Sequence, residues 1–444
     1  MAKIGMISLG CPKNQVDAEL LLAKLADAGY EISGEICGCD AVIINTCGFI
    51  EDAKREAIDN ILEMAEYKDA GEIKKIIVTG CLAERYREEI LTELPEVDAV
   101  VGIGENKDIC GIVEQTLSSD TPVTAFSEKE NLPLEGQRLL TTPEYWAYLK
   151  IAEGCSNHCA YCAIPSIRGE FRSRDMESIL EEARALAEDG IKELIVIAQD
   201  TTRYGEDIYR KPSLAKLLRE LCKIEKLSWI RILYCYPDRI TDELLDTIAD
   251  EEKICNYIDL PLQHANGEVL RTMNRHGNRE TLTALIEKIR EKIPDVCIRT
   301  TFITGFPGET DEQFTDLAEF VKDIKFDRLG CFPYSPEDGT PAADFDGQID
   351  DDEKVHRGEL IMDSQYGIVV EHNKSLVGKT LKTIVDGYDP YTDSYEGRTF
   401  RDAPEIDGKV TFICDGALNP GDFADVLITG INEYDLIGEV KHKK

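Results

Sequence analysis

Positively charged residues are scarce in this sequence. Its 444 residues include 50 Lys and Arg against 86 Asp and Glu, which gives a formal net charge of −36. Because proteins grip nucleic acids mainly through cationic contacts to phosphates, direct nucleic-acid binding is not expected. A basic partner, by contrast, would be attracted to this chain. The alternative is that the acidity serves only solubility.

Long hydrophobic runs are missing as well. No uninterrupted apolar stretch is long enough to cross a bilayer, and Met1 to Gln15 does not have the form of a cleavable signal. We therefore expect a cytoplasmic protein without a membrane partner. In that reducing compartment, the 15 cysteines indicate metal or redox chemistry instead of a disulfide framework.

Three of these cysteines, Cys155, Cys159 and Cys162, are closely spaced. A cubane iron-sulfur cluster is held by cysteine thiolates, and three ligands leave one of its four irons open to a substrate or cofactor. The alternatives are half a zinc site or coincidence. Zinc normally requires a second pair of ligands at suitable spacing, whereas Cys37 and Cys39 form only C-x-C and the histidines are scattered. The spacing therefore favours a 4Fe-4S cluster.

The amino-terminal part predicts alternating strands and helices, which indicates a parallel sheet covered on both faces. Three buried-strand patterns end just before a cysteine, and these cysteines are Cys11, Cys47 and Cys81. The carboxyl ends of strands in such a sheet share one crevice. We therefore expect the three thiols to converge and to hold a second cluster. The alternative is that they are buried packing residues.

A polar stretch from 126 to 143 has the composition of a linker and precedes a second series of strand and helix patterns. Six βα units follow, which predicts a partial (β/α)6 barrel with its chemistry at the carboxyl ends of the strands. The last segment has short strand patterns and frequent turns, as is typical of a small all-β module. The fold class is α/β, and the predicted domains are a doubly wound domain at 1–125, the partial barrel at 141–371 and the all-β module at 373–440.

The segment around Cys155 resembles the signature of radical S-adenosylmethionine (SAM) enzymes, C-x3-C-x2-C with an aromatic residue, here Tyr161, before the last cysteine. In that family the open iron chelates SAM. With the motifs at 8–17, 45–48, 79–81 and 333–341, essentially the whole chain resembles the methylthiotransferase family.

This resemblance implies two 4Fe-4S clusters, SAM as cofactor and three functional domains. In the family, an amino-terminal domain binds an auxiliary cluster, a central radical SAM domain binds the second, and a carboxyl-terminal TRAM module recognises the substrate. By position, the auxiliary cluster would be held by Cys11, Cys47 and Cys81, and the SAM-cleaving cluster by Cys155, Cys159 and Cys162.

The family has two main branches, one acting on isopentenylated adenosine in tRNA and the other on an aspartate in small-subunit ribosomal protein S-twelve. The segments 9–17, 164–169 and 261–264 resemble the ribosomal branch. That branch implies methylthiolation of the aspartate β-carbon, supported by a reducing electron donor. The tRNA enzyme is the alternative, and a non-catalytic iron-sulfur redox scaffold is a lesser one.

Polar residues at the predicted strand ends of the barrel are candidates to bind SAM or a substrate carboxylate. They are Gln199, Asp200, Gln263, His264, Arg299 and Thr301, and Tyr161 is added as a cofactor contact by its place in the signature. An arginine suits a carboxylate because its planar fork can donate to both oxygens. The alternative is that each of these side chains only contacts solvent at the end of its strand. No catalytic side chain is assigned.

Two further motifs have more than one interpretation. The glycine-rich turn 305–310 lacks a Walker lysine, so a tight turn is favoured over a phosphate cradle. Arg168, Arg172 and Arg174 form a local basic cluster that either contacts substrate or pairs with Glu170 and Asp175 as a solvated face.

Overall fold

The computed structural model describes residues 1–440. Its amino-terminal unit is a six-stranded parallel sheet of order β2-β1-β3-β4-β5-β6. The strands are β1 (Lys3–Ser8), β2 (Glu31–Ser33), β3 (Ala41–Thr46), β4 (Lys75–Gly80), β5 (Ala99–Val101) and β6 (Val123–Ala125). The helices are α1 (Pro12–Asp27), α2 (Glu51–Asp69), α3 (Cys81–Tyr86), α4 (Glu89–Glu93) and α5 (Ile109–Ser118).

Both faces of this sheet are covered by helices. Every residue of β3 is buried, as expected for a central strand of a parallel sheet. Val42 and Ile44 pack with α2 on one face, whereas Ile43 packs with α1 and α5 on the other. The doubly wound arrangement predicted from the alternation of patterns is therefore present.

The central unit contains two three-stranded parallel sheets of order β7-β10-β11 and β12-β13-β14, joined by main-chain hydrogen bonds such as Cys235 N to Asp259 O at 2.9 Å. Together they form the partial barrel. The strands are β7 (Trp146–Lys150), β8 (Ala152–Glu153), β9 (Arg172–Ser173), β10 (Glu193–Ile197), β11 (Trp229–Ile232), β12 (Tyr257–Asp259), β13 (Cys297–Thr304) and β14 (Arg328–Pro333).

The helices of the central unit are α6 (Ile164–Arg168), α7 (Met176–Glu188), α8 (Glu206–Tyr209), α9 (Leu214–Cys222), α10 (Asp242–Asp250), α11 (Gly267–Thr272), α12 (Arg279–Lys292), α13 (Asp311–Ile324) and α14 (Asp351–Leu376). Helices such as α7, α9 and α12 cover the outside of the barrel, whereas α6 packs against α3 of the amino-terminal unit. Along β7, Ala147 and Leu149 face the helices, whereas Trp146 and Tyr148 face the barrel interior. This period of two is what a strand with two different buried faces requires.

The carboxyl-terminal unit is a closed five-stranded barrel of order β15-β16-β17-β19-β18. The strands are β15 (Thr380–Asp389), β16 (Ser394–Thr399), β17 (Val410–Ile413), β18 (Phe423–Asn432) and β19 (Asp435–Val440). Its interior is filled by apolar side chains, among them Val385, Phe412 and Val426. The predicted small all-β module is therefore confirmed.

The partial barrel is closed at its two ends by different units. At the amino ends of the strands, Glu193 accepts from Arg398 of the carboxyl-terminal unit at 2.8 Å, and Tyr257 donates to Asp407 at 2.7 Å. At the carboxyl ends, Val16 and Leu20 of α1 join the same apolar cluster as the interior aromatic residues. The amino-terminal unit therefore covers the end at which barrel chemistry was expected.

Strand and helix bounds followed local patterns closely where the patterns were long. The sequence patterns predict strands at 41–46, 297–304 and 328–333 and helices at 176–188, 214–222 and 311–324, and β3, β13, β14, α7, α9 and α13 have these bounds. Thr310 and Gln313 form the capping box that the sequence predicts at the start of α13. The three-residue strands β2, β5 and β6 were missed because so short a segment carries no clear periodicity. Within residues 1–440, no helix combines the length and the apolar character that a membrane span needs.

Candidate functional site

The three thiols of the amino-terminal unit lie together at the carboxyl edge of its sheet. Cys11 follows β1, Cys47 follows β3, and Cys81 is the first residue of α3 after β4. A Cβ placed on Gly10, which has φ +90°, would lie 2.6 Å from the Cβ of Cys47. A Cβ on Gly48 would lie 2.8 Å from the backbone of the residue after Cys81. The loops can approach this closely only because glycine has no side chain.

The second set of thiols lies on one loop at the carboxyl end of the partial barrel. Cys155 follows β8, and its N–H donates to the Gly169 carbonyl at 3.0 Å. The Cys162 N–H donates to the Cys159 carbonyl at 3.0 Å, which turns the loop back on itself. All six cysteines of the two sets are free thiols.

The two sets face each other across the interface between the units. Cys81 packs against Ala163, the residue after Cys162, and against Ile167 of α6, and the three side chains form one buried apolar cluster. The loop that carries Cys162 therefore lies next to Cys81 of the amino-terminal unit.

Arg168 joins the two units beside these thiols. It is 1% exposed, and its Nη1 donates to Asp17 at 2.8 Å and to Glu153 at 3.0 Å. Its Nη2 donates to the Sγ of Cys81 at 3.5 Å. Lys150 is also fully buried and pairs with both carboxylates. A buried, fully paired network of this kind fixes geometry, because loss of any member would leave an uncompensated charge.

The solvated-face interpretation of the basic cluster is wrong for Arg168 and Arg174. Arg174 is buried, donates to the Lys150 carbonyl at 2.7 Å and pairs with Glu182 at 2.6 Å. Arg172 donates only to main-chain carbonyls. The actual carboxylate partners are not the adjacent Glu170 and Asp175 but Glu182, Glu153 and Asp17, so the local charge pattern did not identify them.

Charges around the thiols change their acidity. Burial raises the pKa of Cys47 to about 12, and the neighbouring Cys81 and Cys11 add to this rise. Burial also raises the pKa of Cys155 to about 11. In Cys11, the effect of burial is outweighed by Lys13 and Arg168, which lower the pKa. Because cluster ligands must be thiolates, cluster binding would displace protons from most of these groups.

The strand-end candidates have defined partners. Gln199 Nε2 donates to Glu153 at 2.5 Å, while its Oε1 is buried without a partner. Arg299 donates to Asp259 at 2.9 Å and lies 3.7 Å from Asp407, so a ligand carboxylate would have to compete with these two groups. Gln199 is therefore the better placed of the two to take a ligand.

Two other candidates, Gln263 and Thr301, are linked through the backbone. Gln263 has φ +72°, and its N–H donates to the Thr301 carbonyl at 2.8 Å. The nearby Gly305 N–H donates to the Glu309 carboxylate, and the His264 Nε2 lies 3.4 Å from the same carboxylate. The 305–310 turn is therefore organised by Glu309, which agrees with a tight turn.

Sequence reasoning missed four residues around the thiols, which are Lys13, Arg275, Tyr234 and Tyr236. Arg275 places Nη1 3.8 Å from Cys159 Sγ and 3.4 Å from the Tyr161 hydroxyl, and it lies over the Tyr236 ring. Lys13 lies over the ring of Tyr234. The signal for Lys13 was its place two residues after Cys11. No sequence signal marked Tyr234 or Tyr236, because their position depends on how the end of β11 packs in the folded protein.

The two sets of cysteine thiols fit 4Fe-4S clusters. Each set offers three free thiols, and each lies beside a buried guanidinium, Arg168 or Arg275, that can offset the negative charge of a thiolate-bound cluster. Within residues 1–440, no three His, Cys, Asp or Glu side chains are arranged to hold a single metal ion, whereas the three thiolates of a cubane cluster bind three different irons and need not converge on one point.

Comparison with known families agrees with this architecture. The "Radical SAM superfamily" model matches residues 149–321, the "Uncharacterized protein family UPF0004" model matches 3–102, and the "TRAM domain" model matches 377–440. The solved radical SAM methyltransferase TsrM from Kitasatospora setae has a TM-score of 0.56 at 13% identity, with 88% of this chain and 79% of that chain covered. The fold and site therefore define a radical SAM enzyme, with SAM and 4Fe-4S clusters as cofactors.

Curated relatives show which family of radical SAM enzymes the chain belongs to. The chain is 48% identical to "Ribosomal protein uS12 methylthiotransferase RimO" of Lachnoclostridium phytofermentans, covering 98% of this chain and 99% of the relative. It is 50% identical to the protein of the same name from a Thermoanaerobacter species, covering 99% and 100%. The chain belongs to this family of ribosomal protein uS12 methylthiotransferases.

Proposed function

We propose that this protein adds a methylthio group to the β-carbon of an aspartate in ribosomal protein uS12, in the cytoplasm and with electrons from a reducing donor. The observation that carries the proposal is the full-length identity of 48% and 50% to relatives named for this activity. The two facing sets of thiols support it, because joining sulfur to an unactivated carbon requires both a radical source and a sulfur source.

When bound, the clusters and SAM supply one-electron chemistry that side-chain acids and bases cannot provide. The chain supplies the ligands and the enclosure. We propose that the auxiliary cluster is held by Cys11, Cys47 and Cys81 and the SAM cluster by Cys155, Cys159 and Cys162. We further propose that Tyr161, Gln199, Gln263, Arg299 and Thr301 contribute to the SAM site. Packing of Cys81 against Ala163 and Ile167 keeps water out of the interface between the sets, which protects a reactive intermediate.

The charge of the carboxyl-terminal unit favours a basic protein partner over tRNA. Residues 373–440 contain 13 Asp and Glu against 6 Lys and Arg. Two of those six cations, Arg398 and Arg401, are paired internally with Glu193 and Asp327. Little positive charge is therefore left on this unit to contact phosphates, whereas an acidic surface attracts a basic ribosomal protein.

The test is mass spectrometry of ribosomal proteins and tRNA nucleosides from cells with and without this gene. We expect uS12 to lose the mass of one methylthio group when the gene is deleted, and tRNA nucleosides to stay unchanged. Loss of a methylthiolated nucleoside would instead support the tRNA enzyme. Intact clusters that release no methionine and 5′-deoxyadenosine under reductant would support a redox scaffold.

A further inference from the structure

Arg275 is a buried guanidinium that touches the second set of thiols. It lies between α11 and α12 and is 8% exposed. Its Nη1 donates to the Sγ of Cys159 at 3.8 Å and to the Tyr161 hydroxyl at 3.4 Å, and its Nη2 donates to the Pro261 carbonyl at 2.6 Å. Its Cζ lies 4.3 Å from the centroid of the Tyr236 ring. These contacts fix the side chain beside the middle cysteine of the set.

The two residues before Arg275 hold the same thiol loop. The Met273 carbonyl accepts from the Ala160 N–H at 2.9 Å. Asn274, which has φ +57°, donates from Nδ2 to the His158 carbonyl at 2.9 Å. The segment therefore binds the loop through its backbone and through two of its side chains, so the fold itself sets the distance between the guanidinium and the thiol.

The charge of Arg275 is not shared with a carboxylate. Within residues 1–440, its guanidinium contacts a carbonyl, a hydroxyl, an aromatic ring and a thiol. Arg168, the guanidinium beside the other set, instead shares its charge with the carboxylates of Asp17 and Glu153. Because a charge acts most strongly at short range and away from water, Arg275 acts mainly on Cys159 and on whatever this thiol binds.

We propose that Arg275 is a redox-tuning residue, whose charge raises the reduction potential of the cluster proposed at Cys155, Cys159 and Cys162. This inference rests on the proposed function, which assigns the SAM cluster to these thiols. On reduction the cluster gains one electron and becomes more negative by one charge. A neighbouring cation and a hydrogen bond to a ligand sulfur both stabilise that more negative state. Without Arg275, a stronger electron donor would be needed to reduce the cluster.

The test is potentiometry of the reconstituted holoenzyme, followed by electron paramagnetic resonance. Dithionite supplies the electron and is oxidised to sulfite, and the signal of the SAM cluster is the one that Cys155→Ala lacks. Arg275→Met removes the charge, whereas Arg275→Lys keeps it. We expect Arg275→Met to lower the equilibrium constant for one-electron reduction by at least about tenfold, which corresponds to about 59 mV. Arg275→Lys should recover most of this loss.

Two control variants separate the charge of Arg275 from its position. Arg271→Met removes an exposed arginine of α11. Asn274→Gly removes the hydrogen bond to the His158 carbonyl and keeps a positive φ that glycine tolerates. Neither variant changes the charge beside the thiol, so both should keep the wild-type potential. An unchanged potential in Arg275→Met, or an equally large shift in Asn274→Gly, would overturn the inference.

Retention of the cluster gives a second measurement. If Arg275→Met does not hold its cluster, Arg275→Gln takes its place. Loss of iron from both of these variants but not from Arg275→Lys would support a role for the charge, whereas loss from all three would overturn it. A wild type that binds only about four irons, or full iron content in Cys155→Ala, would contradict the proposed function instead. The two failures are therefore distinguishable.

Discussion

Arg168 of the central unit donates a hydrogen bond from Nη2 to the Sγ of Cys81 in the amino-terminal unit, over 3.5 Å. One side chain therefore connects a proposed ligand of the auxiliary cluster to the helix that follows the SAM-cluster loop. Since the same guanidinium also pairs with Asp17 and Glu153, its position is fixed from both sides of the interface.

Replacement of this guanidinium should destabilise the protein strongly. Arg168→Met leaves Asp17 and Glu153 with only Lys150 as counter-charge, and we expect a loss of about 3–5 kcal/mol in the free energy of unfolding. Chemical denaturation followed by circular dichroism measures this loss. The control is Arg184→Met, because Arg184 and its partner Glu177 are both largely exposed and should cost about 1 kcal/mol or less. A similar small loss in both variants would contradict the role given to the network.

Iron content tests the two proposed clusters. Two 4Fe-4S clusters require about eight irons per chain after anaerobic reconstitution. Cys47→Ala and Cys155→Ala should each lose roughly half of this iron, because each removes one thiolate from a different set of three. The exposed Cys37→Ala variant should keep the full content. Full loading of Cys47→Ala would argue against the auxiliary site.

Glu337 should hold the loop 333–341 against the amino-terminal unit. Its buried carboxylate accepts from Arg85 at 2.6 Å and lies 3.2 Å from Lys54. Glu337→Gln removes the counter-charge of two cations, so we expect a loss of about 3 kcal/mol and faster hydrogen exchange in α3 and the loop. Glu177→Gln is the exposed control. Unchanged exchange in α3 would show that other contacts hold the interface.

The attachment of the carboxyl-terminal unit should weaken in acid. Burial by itself would raise the pKa of Asp327, but a hydrogen bond with His372 and the charge of Arg401 lower the pKa to about 2. Because the folded-state pKa is below the unfolded value, this stabilisation is present above about pH 4 and is lost as the pH falls towards 2. This carboxylate contributes about 2 kcal/mol to the free energy of unfolding.

The measurement compares unfolding free energies of the wild type and Asp327→Asn between pH 2 and 6. The wild type should be more stable at the upper end, and the difference should shrink below about pH 4. Asp250→Asn, at an exposed position, should follow the wild-type curve. A difference that does not change with pH would show that the carboxylate charge is not what stabilises this contact.

The sequence determined the elements whose signal is local. α13 could be bounded at Asp311–Ile324 because a capping box opens it and its apolar spacing continues to the end. The cysteines that follow β1, β3 and β4 could be predicted to lie together, because the carboxyl ends of parallel strands share one edge of the sheet. The class of enzyme was implied by the resemblance of the segment around Cys155, Cys159 and Cys162, with the other motifs, to a known family.

The tertiary structure alone decided how the charges are paired. Arg168 meets Asp17 across 151 positions of sequence, and Arg85 meets Glu337 across 252. Local patterns cannot reveal such partners, because the energy of an ion pair depends on distance and burial in space and not on separation along the chain. For the same reason, only the folded structure showed that Lys13 lies over the ring of Tyr234.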